Sequence, residues 1–279
     1  MTEWSRVTAD DGQTFVYADE GEGPLVVLMH GFPDTPHGYK RIAGALVDAG
    51  YRAVRPWLRG YHPDTIVPGR PYDLVTISSD PVLMLDALGE RDAVIVGHDW
   101  SSSIAFGAAA LHAERMRAIV PIALPNPNLL PRDLRLLWAG RHFLELNMPW
   151  AEARVRWSNF AYLDKLYRRW APGWRGPERD RALAHAKEAF ADPRVLSSAL
   201  DYYRALSPKP MPELSRPSPV PGLLVADIRG IAEEAYERSA ELLGAGSETL
   251  VMDNVGHWPH REREDEFSAR LVGFLQAHA

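Results

Sequence analysis

The chain has 279 residues, room for one α/β domain carrying an insertion; 46% are hydrophobic and 24% charged, which supplies a core and argues against disorder. A net charge of −6 argues against nucleic acid or an anionic membrane as partner. The absence of cysteine excludes disulfides, zinc–thiolate sites and a thiol nucleophile, and fits a reducing compartment. Met1 to Asp11 is polar and lacks the apolar stretch of a signal peptide, and no apolar run approaches the ~18 residues of a membrane span, so a cytoplasmic protein is expected.

Val7–Ala9 and Thr14–Tyr17 read as two strands joined through Asp10-Asp11-Gly12, a hairpin turn signal. Leu25–Met29 is a continuous apolar run of strand length, as expected for a strand buried on both faces of a mainly parallel sheet. It leads into His30-Gly31-Phe32-Pro33-Asp34. The spacing of Ile42, Leu46 and Val47 predicts a helix over Tyr39–Ala49, stopped by Gly50. Tyr51–Arg55 reads as the next strand, Arg59-Gly60-Tyr61 as a buried structural turn, and Leu74–Leu88 as one helix. Val94–Val96 is a strand, Ile104–Leu111 a helix and Met116–Ala123 a further strand, so strand alternates with helix as in a doubly wound sheet. After Leu124 the pattern breaks. A tract dense in Trp, Arg, Tyr and Leu follows, holding Trp138, Trp150, Trp157, Trp170 and Trp174, five of the nine tryptophans. It is expected to be a helical insertion over the carboxyl edge of the sheet, with most of these tryptophans in its core. A proline-rich return from Pro208 to Pro221 precedes a strand at Gly222–Ala226, a helix at Ile231–Leu243, a strand at Glu248–Met252, a loop at Asn254–His260 and a closing helix at Glu264–His278. The expected organisation is a core in two parts, 1–125 and 213–279, interrupted by a helical cap at 126–212.

The chain is organised around Gly97-His98-Asp99-Trp100-Ser101. A β-branched run ending in Gly-X-Asp-X-Ser before a helix has the form of a nucleophile elbow, whose crowding demands small residues two places either side of the tip; Gly97 and Ser101 supply them. The tip is Asp99. An elbow carboxylate attacks carbon electrophiles such as an epoxide or an alkyl halide and forms an alkyl-enzyme ester. The plainer reading makes Asp99 a helix N-cap.

The order of nucleophile, long insertion and a late histidine in a loop resembles the α/β-hydrolase fold, in its epoxide hydrolase and haloalkane dehalogenase branch. The motifs that carry it are His30-Gly31-Phe32-Pro33, Arg59-Gly60-Tyr61, Gly97-His98-Asp99-Trp100-Ser101 and Gly256-His257-Trp258. The resemblance implies a mostly parallel eight-stranded sheet flanked by helices, with a helical cap insertion. It implies Asp99 as nucleophile, His257 as the base that activates water, and backbone N–H groups of Phe32 and Trp100 as the oxyanion hole. It implies two cap donors over the ring oxygen, which fall on Tyr203 within Tyr202-Tyr203-Arg204 and on His142. His98 is expected to be structural, and His260 and His278 to be exposed. The acid that orients His257 follows one of two strands in this branch. The first location falls near Arg229 or Gly230, where neither residue serves, so Asp227 is chosen, with Glu233 and Glu234 in reserve; the second reads Ala123. The expected function is hydrolysis of a small-molecule epoxide to a vicinal diol with no metal or cofactor, and a homodimer is one expected state. A haloalkane dehalogenase and a hydrolase-fold binding protein with weakened chemistry are the alternatives.

Overall fold

In the computed structural model residues 3–129, 140–207, 209–227 and 231–278 are described. Eight strands form one sheet: β1 Ser5–Thr8, β2 Thr14–Glu20, β3 Leu25–Met29, β4 Arg52–Pro56, β5 Ala93–His98, β6 Met116–Ile122, β7 Leu223–Ala226 and β8 Glu248–Val251. Their order is β1-β2-β4-β3-β5-β6-β7-β8. The β1–β2 hairpin and the β2–β4 pair are antiparallel, and every pair from β4 through β3, β5, β6 and β7 to β8 is parallel. β3 and β5 lie at the centre and are buried throughout, which is why their sequences are continuous apolar runs rather than alternations.

Helices cover both faces. Before the insertion come α1 Lys40–Asp48, α2 Leu74–Ile77, α3 Asp80–Leu88 and α4 Trp100–Leu111. The stretch Leu74–Leu88, expected as one helix, is two. The Ser78 hydroxyl bonds back to Leu74 O, and Pro81 sits in the first turn of α3, where a missing N–H costs nothing. α4 starts at Trp100, not Ile104, because the elbow turns directly into the helix. Between β6 and β7 the chain forms α5 Arg141–Asn147, α6 Ala151–Trp170, α7 Pro177–Ala189 and α8 Pro193–Arg204. Helical geometry in α6 is interrupted at Trp157–Phe160. The remaining helices are α9 Glu233–Ala240, shorter than the expected Ile231–Leu243, α10 Pro259–Glu262 and α11 Glu264–His278.

The α5–α8 layer is fastened to the sheet by buried polar contacts. Tyr202 OH donates to Arg59 O at 2.9 Å and Tyr167 OH to Pro33 O at 2.8 Å. Arg59 is itself buried and paired with Asp80, Nε to Oδ2 at 3.0 Å, so the Arg59-Gly60-Tyr61 turn is a structural joint, as expected. The expectation of tryptophans packed in the core is corrected. Trp174 is buried, but Trp150 and Trp157 are exposed, and Trp170 is half-buried with its ring 5.0 Å from that of His257; Trp138 lies outside the described residues. Among the described residues no helix is long and apolar enough to cross a membrane.

Candidate active site

Asp99 sits at the tip of the turn between β5 and α4 with φ 56° and ψ −114°, a conformation an L-residue adopts only under constraint. The constraint is steric. A Cβ on Gly97 would run into the Ser101 carbonyl, and one on Gly31 would run into the Asp99 side chain. Ser101 adds a bond from its hydroxyl to His30 O at 2.5 Å, tying the elbow to the loop after β3. The Asp99 side chain does not cap α4. Instead its Oδ1 accepts the Phe32 N–H at 2.8 Å, and its Oδ2 faces His257 Nε2 at 3.2 Å. The N-cap reading of Asp99 is thereby replaced.

The Phe32 N–H is presented by a turn whose histidine is fixed in one tautomer. His30 Nδ1 donates to Gly31 O at 3.0 Å, which leaves Nε2 to accept the Leu58 N–H at 3.2 Å. Burial pushes its pKa down to about 4, so it stays neutral. The Trp100 N–H heads α4, where no helical carbonyl can reach it. Among the described residues, Phe32 provides the backbone bond to the Asp99 carboxylate.

His257 lies in the loop after β8, held against the end of α6. Its N–H donates to Trp170 O at 3.0 Å, and the contact is so close that a Cβ on Gly256 would meet the Trp170 carbonyl and Ala171. Its carbonyl is bound by His98 Nε2 at 2.7 Å, which gives His98 the structural role expected of it. His257 Nδ1 faces Asp227 Oδ2 at 3.3 Å, so the chain of side chains is Asp99–His257–Asp227. Burial lowers the His257 pKa, but the two carboxylates outweigh it and hold the value up at about 9. Asp227 follows the last residue of β7, and its N–H donates to the Tyr236 hydroxyl at 3.0 Å while that hydroxyl donates to Ala123 O at 2.8 Å. Tyr236 is a site-supporting residue that sequence reasoning missed; a tyrosine on an amphipathic helix carries no signal of this kind. Glu233 and Glu234, the reserve acids, are exposed on α9, and Ala123, the other acid location, brings a positive φ of 71° and no carboxylate; Arg229 and Gly230 lie outside the described residues.

Tyr203 closes the site from α8. Its ring makes edge contacts with Phe32 at 5.3 Å, Trp100 at 5.0 Å, Phe143 at 5.3 Å and His142 at 5.9 Å between centroids. Burial pushes its hydroxyl well above the ordinary tyrosine range, the Asp99 charge adds to this, and hydrogen bonding with the Trp100 side chain opposes it. A phenol in that setting stays protonated and can donate. His142, on α5, is half-buried and packs its ring on Trp170 at 4.7 Å, whose indole in turn borders the His257 ring at 5.0 Å. Phe32 and His257 thus contact the Asp99 carboxylate, Tyr203 and Trp100 lie beside it, Asp227 backs His257, and His142 stands farther out against Trp170 and Tyr203. One expectation nearby is corrected: His260 is fully buried, stacked on Tyr39 at 5.0 Å and packed against His98 at the end of β5 and Phe267 of α11.

A model of the alpha/beta hydrolase family matches residues 26–270, which spans the elbow, the insertion and the late histidine. The chain belongs to the alpha/beta hydrolase family. This hydrolase is 28% identical to an epoxide hydrolase from Caballeronia sordidicola over 96% of its own length and 92% of the relative's. It is 29% identical to epoxide hydrolase A from Mycobacterium tuberculosis, over 93% and 92%. Among solved structures, epoxide hydrolase A from Mycobacterium thermoresistibile superposes with a TM-score of 0.80 at 24% identity, covering all of the hydrolase and 99% of the other chain. At that identity the likeness speaks for the fold.

Proposed function

We propose that this hydrolase opens epoxides to vicinal diols through an ester on Asp99. Asp99 Oδ2 attacks a ring carbon, the carbon–oxygen bond of the ring breaks, and the ring oxygen takes a proton from Tyr203, with His142 as the second donor. His257 Nε2 then takes a proton from water, and the hydroxide adds to Cγ of the ester. Negative charge collects on Oδ1, where the Phe32 N–H already points and where the Trp100 N–H is the second donor. The bond between Cγ and Oδ2 breaks, and the diol leaves with Oδ2 as its second hydroxyl oxygen, taking the proton held by His257, while the proton of the new carboxyl group on Asp99 returns to Tyr203. Asp227 orients the His257 ring and balances its charge. The observation that carries this reading is the carboxylate at the elbow with one oxygen on a backbone N–H and the other on a histidine backed by an acid. Two relatives named epoxide hydrolase, matched over more than nine-tenths of their length, support the choice of substrate. A haloalkane dehalogenase would use the same Asp99 and His257 but needs two N–H donors for the halide, and Phe32, whose backbone N–H bonds Asp99, has none to give from its side chain. The helices α5–α8 act in this proposal as a cap that supplies Tyr203 and His142.

The test is intact mass of His257→Gln after mixing with an epoxide. Attack needs no base and hydrolysis does, so the variant is expected to gain the mass of the epoxide and keep it. Normal turnover by His257→Gln would place the base elsewhere.

A further inference from the structure

His257 stands on a loop, not on a helix or strand, so the place of its ring depends on what holds the loop's backbone. The loop follows β8, turns at Asn254 with φ 58°, and enters α10 at Pro259. At His257 itself, the N–H donates to Trp170 O at 3.0 Å and the carbonyl accepts from His98 Nε2 at 2.7 Å. The N–H groups on either side both turn to one atom. Gly256 donates to Glu262 Oε1 at 2.8 Å, and Trp258 donates to the same oxygen at 3.2 Å. A carboxylate oxygen has two lone pairs, so a single atom can accept both. Glu262 ends α10, and its own N–H donates to Trp258 O at 2.8 Å, which fixes the distance between this carboxylate and the loop it grips. Packing backs the same arrangement, since the Trp258 ring is fully buried and stacked on Tyr167 at 4.5 Å. Against the effect of burial, the charges that raise the His257 pKa are those of Asp227 and Asp99.

We infer that Glu262 is the positioning residue of the base: through one carboxylate oxygen it holds the backbone on both sides of His257 and sets where Nε2 meets the attacking water. The inference rests on the ester reading and adds the residue on which the second step depends. Glu262 acts through the reach of an accepting oxygen and not through its charge. Attack by Asp99 needs no base, so a displaced His257 slows ester hydrolysis and spares ester formation. A misplacement of about 1 Å costs on the order of 10²-fold.

Two substitutions separate reach from charge. Glu262→Gln keeps an accepting oxygen at the same reach and removes the charge; Glu262→Asp keeps the charge and draws the oxygen back by one methylene. Each is checked for native near-UV circular dichroism, and single turnovers of styrene oxide are followed by intact mass, which reads ester formation and decay separately. Formation is expected within about threefold of wild type in both variants, while decay slows by about 10- to 100-fold in Glu262→Asp alone, so that its ester accumulates. The pH midpoint of decay should be the same in Glu262→Gln as in wild type. Wild-type decay in Glu262→Asp, decay as slow in Glu262→Gln as in Glu262→Asp, or formation and decay falling together would overturn the assignment. Amide hydrogen exchange of Gly256 and Trp258, read by NMR on the free enzyme, tests the same grip without substrate. Exchange should be about tenfold or more faster in Glu262→Asp than in wild type or Glu262→Gln, and equal exchange in all three would overturn the grip. If wild type forms no ester, the epoxide reading fails while the exchange measurement still decides the role of Glu262.

Discussion

Tyr203 separates ring opening from simple displacement. Its hydroxyl is buried beside Asp99 and kept protonated, so removal of the oxygen alone, in Tyr203→Phe, leaves the packing against Phe32, Trp100 and Phe143 in place. Negative charge grows on the epoxide oxygen only in the transition state, and loss of one donor there is expected to slow alkylation by about 10²-fold, the scale of an oxyanion-hole deletion. Rapid-mixing kinetics with an epoxide measures it, and an unchanged alkylation rate would remove Tyr203 from the reaction. His257 makes a second prediction. Its pKa of about 9 depends on two carboxylates working against burial. Esterification removes the charge of Asp99, so the value should fall in the ester and free the imidazole to act as base. Ester hydrolysis in a pH series is therefore expected to reach half its maximum well below pH 9; a midpoint at or above 9 would mean that Asp99 does not set the His257 pKa.

The elbow is the element on which these groups depend. Gly97 and Gly44 give a paired test because both are glycines in regular structure with opposite surroundings. A Cβ at Gly97 runs into the Ser101 carbonyl, which is backbone and cannot swing away, whereas a Cβ at Gly44 on α1 meets nothing. Gly97→Ala is expected to destabilise by about 2 kcal/mol and to cost activity as Asp99 shifts, while Gly44→Ala should stabilise by about 0.5–1 kcal/mol; urea unfolding reads both. The elbow was legible in sequence for this same reason, since crowding restricts which residues can flank Asp99. The centre of the sheet was legible too, because strands buried on both faces admit only apolar residues, as in Val26-Val27-Leu28 and Val94-Ile95-Val96. Helix ends were less so. The break inside 74–88 depends on a Ser78 side-chain bond and a proline that a helix tolerates in its first turn, and periodicity carries neither.

At the scale of the whole molecule, contacts far apart in sequence made the remaining residues hard to read. Asp227 and His257 are brought together because β7 and β8 are neighbours whose carboxyl ends lie at the same edge, where Asp99 also projects from β5. Spacing along the chain pointed past Asp227 because it measures residues from a motif and not reach in space. Tyr236 holds backbone atoms of Asp227 and Ala123 with its hydroxyl, Trp170 accepts the His257 N–H with its carbonyl, and no side-chain pattern announces a contact to backbone. His260 reads as exposed from its polar, charged surroundings, yet it lies against Tyr39 and Phe267 in the interior.

The central claim is that Asp99 becomes covalently bound to substrate and is regenerated by water added to its own Cγ. A single turnover in H₂¹⁸O, with protein in excess over epoxide, followed by proteolysis and mass spectrometry, tests it directly. The account predicts one ¹⁸O in the peptide that contains Asp99 and none in the first-turnover diol, since the diol takes its oxygen from the carboxylate. Label in the diol with an unlabelled Asp99 would show water attacking the epoxide directly and would contradict the account.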